Sequence, residues 1–462
     1  MQKFAFSIGA CLVLIACTKS PSLHVEQWAT TADKTYALKN VETRIASQAQ
    51  IDFKINVDTS NQYQSMEGFG FSLTGGSAML LSTKFNKAQR NNLWQELFLE
   101  NGININYLRI SIGASDLDEK VFSYCDFPVE ISDPLKKFSL AYDTLYLVPI
   151  LKEILNVNPE VKIMGSPWSA PPWMKDNNLP KGGKLLERFY PLYASYFVRY
   201  IQAMAQEGVV LDAITIQNEP ENPNNTPSMI MSAAEQAAFI RDHLGPAFIR
   251  DNIKTKIVTF DHNCDHPQFP IEILNDKMAR SFVDGTAFHL YLGQPDAMST
   301  VHESHPDKNI YFTEQWTSGH GKFEDDLFWH IQNVIIGATR NWSKVVLEWN
   351  LANDAQFGPH TSDGGCTECQ GAITISDSLT RNVSYYIIAH ASKFIPRGSV
   401  RIEATFQKDL PAVAFLTPDK KVVVIVLNVS TQSRVIEFEM LNEQLQMDLT
   451  PRTVSTLVFS KV

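Results

Sequence analysis

Between about residue 66 and residue 350 the chain alternates two textures. Short runs dense in apolar, β-branched and aromatic residues come first: "GFGFSLTGG" from Gly68, "INYLRISIG" from Ile105, "VKIMGSPWS" from Val161 and "LDAITIQNE" from Leu211. "KIVTFDH" from Lys256, "VDGTAFHLY" from Val283, "NIYFTEQW" from Asn309 and "KVVLEWNLA" from Lys344 follow. Runs of this kind suit parallel strands covered on both faces. Between them lie stretches with helical character, among them "NKAQRNNLWQELFLE" from Asn86, "LERFYPLYASYFVRYIQAMAQEG" from Leu186 and "SAAEQAAFIRDHLGPAFI" from Ser232. Eight such alternations predict an α/β fold, a (β/α)8 TIM barrel over residues 66–392. The rival, an open doubly wound sheet, lacks its mark, because no G-x-G-x-x-G follows the first run.

Past Ser392 the texture changes to short strands and turns, as in "AVAFLTPDKKVVVIVLNVSTQSRVIEFEM" and "RTVSTLVFS". These strands are too few to close a sandwich alone. "KTYALKNVE" and "QIDFKINVD" offer more before the barrel begins, so a β-sandwich built from both chain ends is expected, from residues 17–65 and 393–462.

The first residues read differently. Lys3 gives a basic start, Phe4 to Ile15 a brief apolar stretch, and "LIAC" closes it at Cys17. The stretch is too short for a permanent span and has the shape of a secretory signal over residues 1–16. Leu14-Ile15-Ala16-Cys17 resembles a bacterial lipobox, which implies acyl chains on Cys17 and a protein anchored in the cell envelope, on the periplasmic or surface face of the outer membrane. Membrane contact is expected through that anchor only, since no other run has spanning length.

A net charge of -10 argues against nucleic acid and permits a neutral ligand, and 44% hydrophobic residues allow a large core. Cys125, Cys264, Cys366 and Cys369 remain after the signal and the lipid site. In an oxidising envelope "GGCTECQG" reads as a local disulfide between Cys366 and Cys369, because a zinc knuckle would need a second C-x-x-C. "FDHNCDH" gathers Asp261, His262, Cys264, Asp265 and His266, all possible metal ligands, but such a loop can equally line a sugar channel, and no metal is expected.

Catalytic groups of such barrels sit at the carboxyl ends of the strands. The fourth run ends in Glu219 and the seventh in Glu314, on opposing sides of an eight-fold ring. Two carboxylates facing each other across the mouth match a retaining glycosidase, in which one protonates the leaving oxygen and the other attacks the sugar. Asn218 is placed to donate to a sugar 2-hydroxyl. Trp316, Trp168, Trp173 and Trp349, at strand ends or in the loops that follow, offer aromatic faces for sugar rings.

With these residues in view, "EGFGFSLTGGSA", "YLRISIGASD", "GSPWSAPPWMK", "ITIQNEP", "FIRDHLGP", "AFHLY", "YFTEQW", "LEWNLA" and "ASKFIPRGSVRI" follow one another in an order that resembles glycoside hydrolase family 30, the family of glucosylceramidases and endo-β-1,6-glucanases. The resemblance implies a barrel with an attached β-sandwich, retention of configuration and no cofactor. It implies Glu219 as acid/base and Glu314 as nucleophile, with Arg109 beneath the nucleophile and Tyr291 hydrogen-bonded to it. Asp116, Trp168 and Asn218 would line a glucose subsite, walled by Trp349. The expected substrate is a β-glucan, most readily β-1,6-linked. The alternatives are glucosylceramide or another β-glucoside, and a non-catalytic glycan-binding lipoprotein.

Overall fold

Each of the eight apolar runs forms a strand, and in the computed structural model these strands close into one parallel barrel in chain order. They are Gly68–Ser72, Tyr107–Ser111, Lys162–Ser166, Ala213–Thr215, Lys256–Cys264, Val283–Gly293, Asn309–Glu314 and Ser343–Asn350, the last pairing back onto the first. The structure describes residues 23–44, 50–126, 133, 135–440 and 442–461; Cys17 and the expected signal lie outside them. Among the described residues no helix is long and apolar enough to cross a membrane.

The barrel interior follows from the two-residue period of a strand. Tyr107, Met164, Ala213, Val258, Ala287, Tyr311, Val345 and Leu347 point inward and make a closed apolar layer of their own. Two residues further along, the same face carries Arg109, Ser166, Thr215, His289, Thr313 and Trp349, all buried. The interior thus turns from apolar to polar toward the carboxyl ends. The fifth strand breaks the period: Phe260 and Asp261 have φ of +69° and +66°, and its register with the sixth strand shifts there. That irregularity turns Asp261 into the barrel, a use to which β-bulges beside active sites are commonly put.

Some of the helices around the barrel begin at side-chain caps. Asn86 and Gln89 form a reciprocal capping box for Lys87–Phe98, and Ser232 and Glu235 do the same for Ala233–Phe239.

The remaining strands make a nine-stranded sheet among the described residues, with its own apolar core around Ile55, Val424, Phe438 and Leu457. Phe53–Ser65 spans it, pairing in parallel with Arg434–Met440 at one end and antiparallel with Val400–Ala404 at the other. Leu23–Thr31, which the sequence pattern did not suggest, runs antiparallel to Thr453–Lys461 along its whole length and joins the two chain ends. Of "KTYALKNVE" only Lys39–Val41 is a strand, because the chain turns before it to come back along Gln27–Ala29.

Candidate active site

The fourth strand ends at Thr215, and the chain continues to Glu219 tied to both neighbours: the Asn218 N–H donates to Pro167 O at 2.7 Å and the Glu219 N–H to Asp261 O at 2.9 Å. Glu219 has φ of +46°, a left-handed backbone uncommon outside glycine, and Pro220 follows directly. The strained turn stops the strand and aims the carboxylate over the mouth. Glu219 Oε2 accepts from Asn222 Nδ2 at 2.8 Å and Asn225 Nδ2 at 3.0 Å.

Across the mouth Glu314 ends the seventh strand. Its Oε2 meets Arg109 Nη1 at 2.5 Å, and its Oε1 accepts from the Tyr291 hydroxyl at 2.8 Å. Arg109 is fully buried and uses its whole fork. Nη2 donates to Asn218 Oδ1 at 2.6 Å and Asp261 Oδ2 at 2.9 Å, and Nε to Ser166 Oγ at 3.0 Å. The guanidinium lies 4.9 Å from the Trp168 ring centroid and 5.7 Å from that of Trp349, and the two indoles stack at 5.4 Å. One cation therefore anchors Glu314, orients Asn218 with its amide N–H free to donate, and holds both tryptophans.

Asp116, Glu219, Asn222, Asn225, Tyr291, Glu314, Trp316 and Trp349 line a cavity of about 200 Å³, together with Cys366 and Cys369, which are joined by a disulfide. Larger cavities occur elsewhere among the described residues, one of about 480 Å³ beside Phe122 and Trp173, which neither Glu219 nor Glu314 lines. The Trp168 indole N–H is buried with no protein acceptor, a free donor at the edge of the site.

The electrostatics follow from concentrating charge out of water. Burial pushes the Asp116 carboxyl up to about 8, with the charges of Glu314 and Glu219 adding to it. Burial also raises Glu314, opposed by the charges of His289 and Arg109 and reinforced by Glu219. In Glu219 burial acts upward too, but His289, then His262 and Asn222, outweigh it, and the net direction is down. His289, itself disfavoured as a cation by burial, is lifted to about 9 by Glu314, Asp261 and Glu219. Glu219, His262 and His289 present ligand-type atoms within 4.8 Å of one another.

Of the residues singled out from the sequence, Arg109, Asp116, Trp168, Asn218, Glu219, Tyr291, Glu314, Trp316 and Trp349 gather here. Trp173 does not: its Nε1 donates to Cys125 O, its ring meets Phe189 edge-on, and it lines the neighbouring 480 Å³ cavity. "FDHNCDH" is no common loop lining either. Its residues through Cys264 belong to the fifth strand, Asp261 is inside the barrel, Cys264 is buried, and exposed His266 pairs with Glu221. Sequence reasoning passed over His289, and it reached Asn222 and Asn225 only as members of the polar stretch "PENPNNTPSM" after Glu219. His289 was within reach, since it stands two residues before Tyr291 and a strand must send both to the same face.

The comparisons with known proteins agree with this geometry. A family model described as the TIM-barrel domain of glycosyl hydrolase family 30 matches residues 66–395, and that of the family's β-sandwich domain matches residues 398–457. The chain is 31% identical over 459 residues to an endo-1,6-β-D-glucanase of Aspergillus fumigatus, covering 91% of this chain and 92% of that protein. It is 27% identical to the lysosomal acid glucosylceramidase of Mus musculus, covering 82% of this chain and 78% of that one. A solved endo-β-1,6-glucanase superposes with a TM-score of 0.86 at 31% identity, covering 95% of this chain and 100% of that structure.

Proposed function

Because the chain belongs to glycoside hydrolase family 30, a family of retaining glycosidases, we propose that it is an endo-β-1,6-glucanase in which Glu314 is the nucleophile and Glu219 the acid/base. The observation that carries the catalytic part is the unequal setting of the two carboxylates. Glu314 touches a guanidinium and a phenol hydroxyl, donors suited to a carboxylate that must attack as an anion. Glu219 has only neutral amides on one oxygen, and the other is left open to exchange a proton.

In the first step a Glu314 oxygen bonds to the anomeric carbon, the glycosidic C–O bond breaks, and the departing oxygen keeps the electron pair and takes the proton of Glu219. In the second, water gives its proton to Glu219 and attacks the same carbon, releasing Glu314 and a sugar of retained β configuration. Asn218 would donate to the 2-hydroxyl and Asp116 would bind hydroxyls of the same ring, against Trp168 and Trp349.

The linkage is supported by the glucanase relatives and by the polar Asn222 and Asn225 at the rim, where a ceramide would favour an apolar groove. Purified enzyme is expected to cut pustulan-type β-1,6-glucan to short oligosaccharides and to act much more slowly on β-1,3- and β-1,4-glucans. Faster cleavage of glucosylceramide would reject the linkage, and an α-anomer as the first product in proton NMR would reject the catalytic pair. The Cys17 anchor and envelope location are part of this reading on sequence grounds alone. Cys17→Ser should release active enzyme from the membrane fraction, and retention there would remove the anchor from the proposal.

A further inference from the structure

The acid/base reading leaves a question that the geometry answers. Glu219 must hold a proton when substrate arrives, yet its surroundings favour its anion. The imidazole of His289 lies between the two carboxylates. Its Nδ1 is 3.6 Å from Glu219 Oε1 and 3.7 Å from Glu314 Oε1, fully buried and without a hydrogen-bond partner. Its Nε2 faces Asp261 Oδ1 at 3.1 Å.

The protonation of that ring follows from its neighbours. Asp261 collects Arg109 and Thr215 on Oδ2 and Thr313 and His289 on Oδ1, so it is an anion accepting from every side, and burial notwithstanding, Arg109 and His289 hold it far below the usual carboxylate range. His289 Nε2 must then be the donor. A neutral ring would turn the lone pair of Nδ1 toward two buried carboxylate oxygens, whereas a proton on Nδ1 is attracted by both. The other titratable groups facing the ring are His262, whose own proton is disfavoured by burial, and Tyr291, held neutral for the same reason.

Glu219 completes the picture. Its Oε2 is occupied by two amide donors, so the proton must reside on Oε1, the oxygen that looks at His289. An imidazolium beside a Glu219 anion and a neutral imidazole beside a Glu219 acid contain the same number of protons.

We propose that His289 stores the acid proton on Nδ1 and hands it to Glu219 Oε1 as the leaving group departs. The inference rests on the acid/base reading of Glu219. The N–H bond at Nδ1 breaks as an O–H bond forms at Oε1, and that proton passes to the glycosidic oxygen while its bond to the anomeric carbon breaks. The gap of 3.6 Å closes as substrate fills the mouth, as catalytic hydrogen bonds that are long in an empty site commonly do. His289 acts through Glu219 and is a positioning residue. Asp261, tied to Arg109, fixes its tautomer and orientation, much as a buried carboxylate orients a catalytic imidazole elsewhere.

The test compares leaving groups. His289→Gln retains a polar side chain but cannot store a proton, so kcat/KM on pustulan, which reports the bond-breaking first step, should fall at least 100-fold, while kcat/KM on 2,4-dinitrophenyl β-glucoside, whose phenolate needs no proton, should fall less than 10-fold. Equal losses on both substrates would mean a structural role and overturn the proposal. Glu219→Gln measured alongside separates the two readings: it must show the same asymmetry if Glu219 is the acid, and if it does while His289→Gln does not, only the proton store fails. Should the His289 variant not fold, ¹⁵N NMR of the wild-type imidazole decides. Two protonated ring nitrogens at pH 7 are expected, and a neutral ring overturns the proposal.

Discussion

The barrel carries charge at both ends and treats it in opposite ways. At its floor Glu67 meets Lys162 at 2.5 Å and Lys344 at 3.4 Å, while Asp212 meets Lys256 at 3.2 Å and Lys162 at 3.4 Å. Anions and cations alternate there and remain partly wet. Although burial pushes Glu67 up, Lys162 and Lys344 bring it down to about 2. At the mouth Asp116, Glu219, Asp261 and Glu314 are all buried around one guanidinium and the imidazoles of His289 and His262, and Asp116 is driven up instead. Matched, partly solvated charge stabilises a fold, whereas crowded, dry charge costs stability and creates groups whose proton affinity differs from its value in water. Chemistry needs the second kind, and in this fold it belongs at the carboxyl ends of the strands.

Four changes test that contrast. The largest effect is expected for Arg109→Gln, which removes the cation shared by Glu314, Asp261 and Asn218. Turnover of the proposed β-1,6-glucan substrate should fall about 10²–10³-fold, as for loss of a preorganised electrostatic contact, and an activity within tenfold of wild type would show that Arg109 only bridges strands.

Asp116→Asn should separate stability from function. The Asp116 pKa is raised from 3.8 to about 8, so the folded state prefers its proton and stability is lost as pH rises through that window. The variant escapes the penalty. Its melting temperature should match wild type near pH 4 and exceed it at pH 8 by several degrees, of order a few kcal/mol, with glucan turnover reduced. A melting difference that stays constant with pH would contradict the assigned burial cost.

Glu67→Gln has the opposite sign. The Glu67 pKa is depressed, so its contribution is complete above its ordinary value of 4.5 and lost as pH falls toward 2. The variant should lose about 2 kcal/mol at pH 7, converge with wild type in acid, and keep kcat within twofold. A large loss of kcat would mean that the two ends are coupled.

The smallest change in stability is expected for Cys366→Ser together with Cys369→Ser. The bridge closes a loop of sequence separation 3, so its removal should cost less than about 2 kcal/mol. Because the loop lines the cavity and packs on Trp316, KM should rise severalfold. An unchanged KM would remove the loop from the subsite.

What was legible in the chain was whatever repeats with the period of the fold. Eight apolar runs, their alternation with helices, and carboxylates placed where runs four and seven stop are local patterns, and local backbone physics suffices to read them. Strand Leu23–Thr31 escaped because "LHVEQWATT" alternates too weakly to stand out and owes its place to pairing with Thr453–Lys461, more than four hundred residues away. Trp173 was misplaced for a related reason: a loop after a strand can carry its tryptophan toward the mouth or away from it, and Cys125 O and Phe189 decided for away.

The sequence by itself determined the barrel, its polarity and the two carboxylates, because strand period and strand ends are encoded residue by residue. Only the tertiary structure decided how those carboxylates differ. Arg109, Asp261 and His289 come from strands two, five and six, and nothing in their sequence spacing says that one guanidinium reaches Glu314, Asn218 and Asp261 at once. Asp261 points inward through a register irregularity, and His289 meets both glutamates only because the sheet closes. Proton affinity in a dry site depends on through-space distances to charge, and those exist only once the ring of strands is complete.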